Sequence, residues 1–242
     1  VGGSYNFEPT AKLGTANFTT QMLSEGTATK TADQLSEAQQ TLGTSIGINM
    51  TGEGGTISFT ALKDKLEPTM ALTADMLLNS TFPAPALERI RGRTLVALQQ
   101  AADQPNTIAS NVFSTVVYGN DHPYGRVTTE TTVKAITRDD IVAFHKTYYQ
   151  PGRAVITVTG DVDPAAVKVA VEKAFAAWPA GGTRPAFQYP PAPAPTKTTI
   201  YLVDKPKSAQ SVFAIGLPGP PRDTHAWLGV WDGSTWETTQ LA

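Results

Sequence analysis

The side chains that could do chemistry in this sequence are few, and their spacing is unhelpful to a reaction. The three histidines, His122, His145 and His225, are separated by 23 and 80 residues, which matches no compact metal-binding pattern. His122 sits in "DHPYG" and reads as a structural or surface residue. His145, in "AFHKTYY", reads as a partly exposed helix residue beside a core made by Phe144 and Tyr148. Asp139 and Asp140 could be an acid pair, but at the start of a helix two carboxylates satisfy the helix dipole instead. The chain has no cysteine, so disulfides, thiolate zinc sites and cysteine nucleophiles are all excluded. The Gly-rich "GEGG" at 52–55 lacks the Gly-Lys-Ser/Thr that would make it a phosphate loop. Asn17, Asn49 and Asn79 fit the N-x-Ser/Thr pattern, which matters only on a eukaryotic secretory route.

The elements that would position such groups are clearer. With 242 residues, 40% of them hydrophobic and 17% charged, the chain can fold around a sizeable core. A net charge of −2 without a basic cluster argues against nucleic acid as a partner, and no apolar run approaches the ~18 residues of a membrane span. The opening "VGGSYNFEP" has no initiator Met and no signal-like apolar region, as in a mature product or excised fragment. Helical spacing predicts elements over 15–24, from Thr31 to Gly43, around Leu66–Leu77 and around Leu87–Leu98. Further helices are expected at 106–117, burying Val112, Phe113 and Val116, at 138–148, and after Asp163 and Pro164 as N-cap and first helical residue. "SIGINMTGEGGTISFTAL" reads as a hairpin, and "AVITVTG", "TTIYLVD" and "SVFAIGLPG" as strands. This order implies an α+β fold with a layer of helices on a mainly antiparallel sheet. One domain is expected over 1–221, with an extended, polyproline-like linker at 179–197 and an atypical tail at 222–242 that could begin a truncated second domain.

Taken in order, several stretches resemble one domain of the pitrilysin/insulinase family of zinc peptidases. They are the E-P-x-x-x-x-G opening at Glu8 to Gly14, "MLSEGT" followed by "TADQLSEAQQTLG", "LERIRGRTLVALQQAADQP", "YGNDHPYG", "ITRDDIVAFHKTYYQPGRAVITVTGDVD" and "AFAAWP". Active members carry the inverzincin signature H-x-x-E-H on the helix written here as "NFTTQ". Residues at i, i+3 and i+4 share a helical face, so two imidazoles can hold Zn²⁺ while the carboxylate works on the bound water. On that register the resemblance puts Asn17 and Gln21 at the histidine positions and Thr20 at the glutamate position. The third ligand, a Glu, would fall near Ala97, yet no carboxylate lies between Glu88 and Asp103.

The resemblance therefore implies a noncatalytic half that binds no zinc of its own and is not an enzyme alone. Its expected partners are a homologous zinc-bearing half, fused or as a separate subunit of a heterodimer, and a peptide substrate enclosed between the two. The alternative is a structural assembly subunit, as in the family-like core proteins of respiratory complexes. The absent Cys and the Thr-, Ala- and Pro-rich composition suggest a bacterial extracytoplasmic or periplasmic setting.

Overall fold

Helix α1, Thr15–Met22, begins at Gly14, whose φ of 107° is a conformation that disfavours any side chain and which offers no cap of its own. The computed structural model, which describes residues 4–52, 54–179, 181, 186–216, 227–231 and 236–240, places this helix at the centre of the packing. Ala16, Phe18 and Met22 are buried in one cluster with Leu77, Leu87, Ile90, Val133, Ile136, Ile141 and Phe144. Helix α1 packs, among other elements, against the short 3-10 turn Tyr5–Phe7, the strand Gly47–Met50 and the helices Ala84–Ala101 and Arg138–Tyr148.

The local signals read from the sequence account for most of the surrounding helices. Helix α2, Ala32–Leu42, opens on a reciprocal capping box between Thr31 and Gln34 and closes on Gly43 at φ 65°. Strands β1, Gly47–Met50, and β2, Gly55–Ser58, pair antiparallel with Ile48 opposite Ile57. Helices α3, Leu66–Leu78, α4, Ala84–Ala101, and α5, Pro105–Tyr118, follow; Pro105 both ends α4 and starts α5 as a helix-initiating residue. Helix α6, Glu130–Ala135, was not expected. Arg91 of α4 reaches the Val133 and Ile136 carbonyls and so caps its C-terminal end. Helix α7, Arg138–Tyr148, is anchored where Arg138 donates to the Phe82 and Thr81 carbonyls, both at 2.8 Å. Helix α8, Pro164–Ala174, has Asp163 accepting from the Ala166 amide as expected.

Three expectations are corrected. The described residues form two separate two-stranded antiparallel ladders, β1–β2 and β3–β4, so the fold is helix-rich with little sheet and is not built on a mainly antiparallel sheet. Residues 154–159, 198–204 and 211–216 have the β-branched character of strands but no ladder. Pairing needs a neighbour, which propensity alone does not supply. Val112, Phe113 and Val116 are half-buried, because no α5 residue is fully covered. Within the tail, β3, Trp227–Trp231, and β4, Trp236–Gln240, pair antiparallel; His225 lies outside the described residues.

Candidate functional site

Helix α1 is buried on every side but one. Of its eight residues only Asn17 and Gln21 are exposed, four apart on a single narrow stripe. The Gln21 Nε2 donates to Asn17 Oδ1 at 2.9 Å, linking the two amides across a turn. Thr20 does not join them. It is 6% exposed, and its hydroxyl donates to the Ala16 carbonyl at 2.9 Å and lies 3.3 Å from the Tyr149 hydroxyl. Burial raises the Tyr149 phenol to about 12, against the lowering effect of the Thr20 hydrogen bond. Asn17 and Gln21 therefore lie on the exposed face of α1 and Thr20 does not. At ~100° per residue, position 20 is rotated ~60° from position 17 toward the core while position 21 turns ~40° the other way. Ala97 is exposed on the second half of α4, whose buried residues, Ala86, Leu87 and Ile90, are all in the first half.

Sequence reasoning missed the residue that starts α1. Glu8 is 7% exposed, and its carboxylate accepts from the Gly14 amide at 3.0 Å and from the Ala16 amide. It supplies the cap that Gly14 lacks, at the positive end of the helix dipole. Burial pushes its carboxyl above the usual range, opposed by these two amides and by the charge of Arg126. The E-P-x-x-x-x-G spacing was the available signal, since it returns Glu8 to the helix start six residues later. Lys12 then ties this corner to α7 through Asp140 at 2.7 Å, and Asp140 also accepts from the Thr137 amide, completing a capping box. Those partners hold the Asp140 carboxyl low although burial acts the other way. The helix-start reading of Asp139 and Asp140 stands.

His122 and His145 are structural. His122 is 6% exposed and its Nδ1 accepts from the Tyr124 amide at 3.1 Å, capping the short 3-10 turn Pro123–Gly125; burial, then the Arg126 charge, lower its pKa. The His145 Nε2 lies 2.8 Å from the Leu77 carbonyl. A carbonyl only accepts, so this nitrogen carries the proton. Burial lowers its pKa more than that bond raises it. Among the described residues no three His, Cys, Asp or Glu side chains gather as a metal site. Two surface depressions, about 370 Å³ between Glu25 and Pro83 and about 320 Å³ between Leu98 and Glu130, include none of Asn17, Thr20, Gln21 or Ala97 in their lining. No helix among the described residues is long and apolar enough to cross a membrane.

The family model described as Insulinase (Peptidase family M16) matches residues 2–131, and that described as Peptidase M16 inactive domain matches 135–231. The chain belongs to the insulinase family, peptidase family M16. The zinc protease YmxG of Bacillus subtilis is 26% identical over 220 residues, covering 90% of this chain and 52% of that protein. A Mycobacterium leprae zinc protease is 30% identical over 165 residues, covering 67% and 37%. The β subunit of the Caenorhabditis elegans mitochondrial-processing peptidase is 23% identical over 176 residues, covering 72% and 38%. The chain thus spans about half, or less, of the length of these relatives. Among solved structures, a peptidase M16 inactive domain from Pseudomonas fluorescens superposes with a TM-score of 0.72 at 27% identity, over 78% of this chain and 47% of that one. The Escherichia coli periplasmic protease PqqL shares the fold at a TM-score of 0.66 and 19% identity, over 78% of this chain and 22% of that one.

Proposed function

We propose that this chain is part of the noncatalytic half of an M16 peptidase, which binds peptide and closes a chamber with a zinc-bearing half. One observation carries the reading. At the helix positions where an active member holds two imidazoles and a carboxylate, this protein has an Asn17–Gln21 amide pair and a buried Thr20 whose hydroxyl is already bonded. The donor set does not fit zinc, because neutral amide oxygens are poor ligands for an ion that takes imidazole, thiolate or carboxylate. Thr20 also has no basic group with which to activate water, and exposed Ala97 supplies no ligand. Zinc belongs, on this reading, to the partner half.

The surface supports a partner. Val155 is 90% exposed, Ile200 89%, Leu202 94%, Phe213 86% and Ile215 96%, all on segments without a ladder. Large apolar side chains left this exposed are available for a covering surface to remove from water. A peptide can add a strand to the β1–β2 ladder, with main-chain hydrogen bonds giving affinity; β1 lies against α1. To test this, the chain is mixed with an H-x-x-E-H homologue encoded with it, and peptide hydrolysis is followed. Activity that appears only in the mixture, with co-elution of both chains, is expected. Hydrolysis by the homologue alone at the full rate, with no co-elution, would overturn the proposal.

A further inference from the structure

Within the Pro-rich stretch expected to be an extended linker, Tyr189 is seated on an aromatic box. Tyr189 stacks on His122 with centroids 5.4 Å apart and rings 27° from parallel, and lies 5.6 Å from Tyr124. Tyr118 closes the far side, stacked on His122 at 5.0 Å and edge-on to Tyr124 at 5.4 Å. The box has a polar floor: Asn6, 2% exposed, donates from Nδ2 to the Tyr189 hydroxyl at 2.8 Å and to the Gly52 carbonyl at 2.7 Å. Asn6 Oδ1 is buried without a partner. Phe187 packs edge-on to Phe7 at 5.3 Å, and Pro193 lies over Gly119, where a β-carbon would meet its ring at 3.6 Å.

These contacts suit a tyrosine carried on an extended, proline-containing segment. A phenol offers a flat face for stacking and one polar tip for Asn6, and prolines keep a segment extended without exposing amides that need partners. Side chains, not backbone, hold the segment: residues 186–196 carry no helix or strand, and no backbone–backbone hydrogen bond between described residues ties them down. Tyr189 itself remains 44% exposed.

We infer that residues 187–193 are a detachable latch in a site that recognises a tyrosine followed by prolines, and that the same box takes a Tyr-Pro segment of a peptide when the latch lifts. The inference stands apart from the peptidase reading, since it concerns this chain alone and survives if no zinc-bearing partner exists. Tethering gives the latch an effective concentration in the ~mM range, so a free peptide meets a site that is mostly filled.

The probe is a fluorescein-labelled peptide of residues 186–196, AFQYPPAPAPT, titrated into the full chain and into the F187A/Y189A variant. The variant is expected to bind at least ~10-fold more tightly than wild type, and a peptide with Tyr replaced by Ala is expected not to bind. Should the double variant lose its fold by circular dichroism, Tyr189→Phe, which removes only the Asn6 bond, serves instead, with a gain of roughly 3-fold to 10-fold. A folded variant that fails to bind the peptide, or affinity equal to wild type, would overturn the latch.

Discussion

Replacing Glu8 with Ala removes the acceptor for two amides at the buried start of the central helix. Gly14 and Ala16 donate to the two carboxylate oxygens, and Gly14, being the N-cap, has no side chain to take over. Losing a cap costs about 1 kcal/mol, and each donor left buried without a partner about 1–3 kcal/mol. Relief of the carboxylate's own burial, which raises its pKa, offsets part of that loss. The net expectation is a loss of about 3 kcal/mol, which for a chain of this size lowers the melting temperature by roughly 6–12 °C. Glu8→Gln keeps one oxygen but aims its NH₂ at a donor, so it should lose at least half as much. Urea unfolding followed by far-UV circular dichroism measures both variants, with Glu130→Ala as a control: Glu130 is exposed and pairs only with Lys134 four residues on, and no resolvable change is expected there. A Glu8→Ala protein within about 0.5 kcal/mol of wild type, inside the range of ordinary surface changes, would refute the capping argument.

Further outcomes follow from the same geometry. Asn17→His with Gln21→His places two imidazoles four residues apart on the only exposed stripe of α1; isothermal titration should show zinc binding at least ~100-fold tighter than in wild type, and no gain would place the stripe wrongly. His145 has a folded pKa below its ordinary 6.5 because of burial, so on acidification the unfolded chain takes up the proton first. Its stabilising contribution is complete above pH 6.5 and declines as the pH falls from 6.5 toward the folded value, by up to ~1.4 kcal/mol per pH unit. His145→Gln should flatten that slope in a series of denaturation curves, the similar but separate contribution of His122 remaining; an unchanged slope would remove His145 from the account. Phe18, 1% exposed among the α1 contacts, should cost about 3–5 kcal/mol on change to Ala by the same assay, and a loss under about 1 kcal/mol would mean that α1 is not central to the core.

Legibility in the sequence followed the range of the interaction. Caps are local, so Thr31 with Gln34, Gly43, and Asp163 with Pro164 marked α2 and α8 at the right residues. Helix α6 escaped because six residues hold too little apolar periodicity, and its capping box uses Thr129 with Thr132 where Glu or Gln is the usual signal. The β-branched runs were read as strands, but pairing is decided by distant chain, and "AVITVTG" carries no mark of a neighbour. At the site, spacing placed Asn17 and Gln21 together on one face, whereas the partner over buried Thr20, Tyr149 just past the end of α7, lies 129 residues away. Tyr189 on His122 was hidden for the same reason: composition suggested a linker, and only the fold brings Asn6, Tyr118 and Tyr124 beneath it.

The central claim, a peptidase-family half that lacks its own metal chemistry, is tested most directly by counting zinc. The chain is purified without chelator, analysed for metal by mass spectrometry, and assayed on an unstructured peptide before and after adding micromolar zinc. The account predicts well under one zinc per chain, no thermal shift on adding zinc and no hydrolysis by the chain alone. One zinc per chain that disappears in Asn17→Ala or Gln21→Ala, together with hydrolysis by the isolated protein, would contradict it.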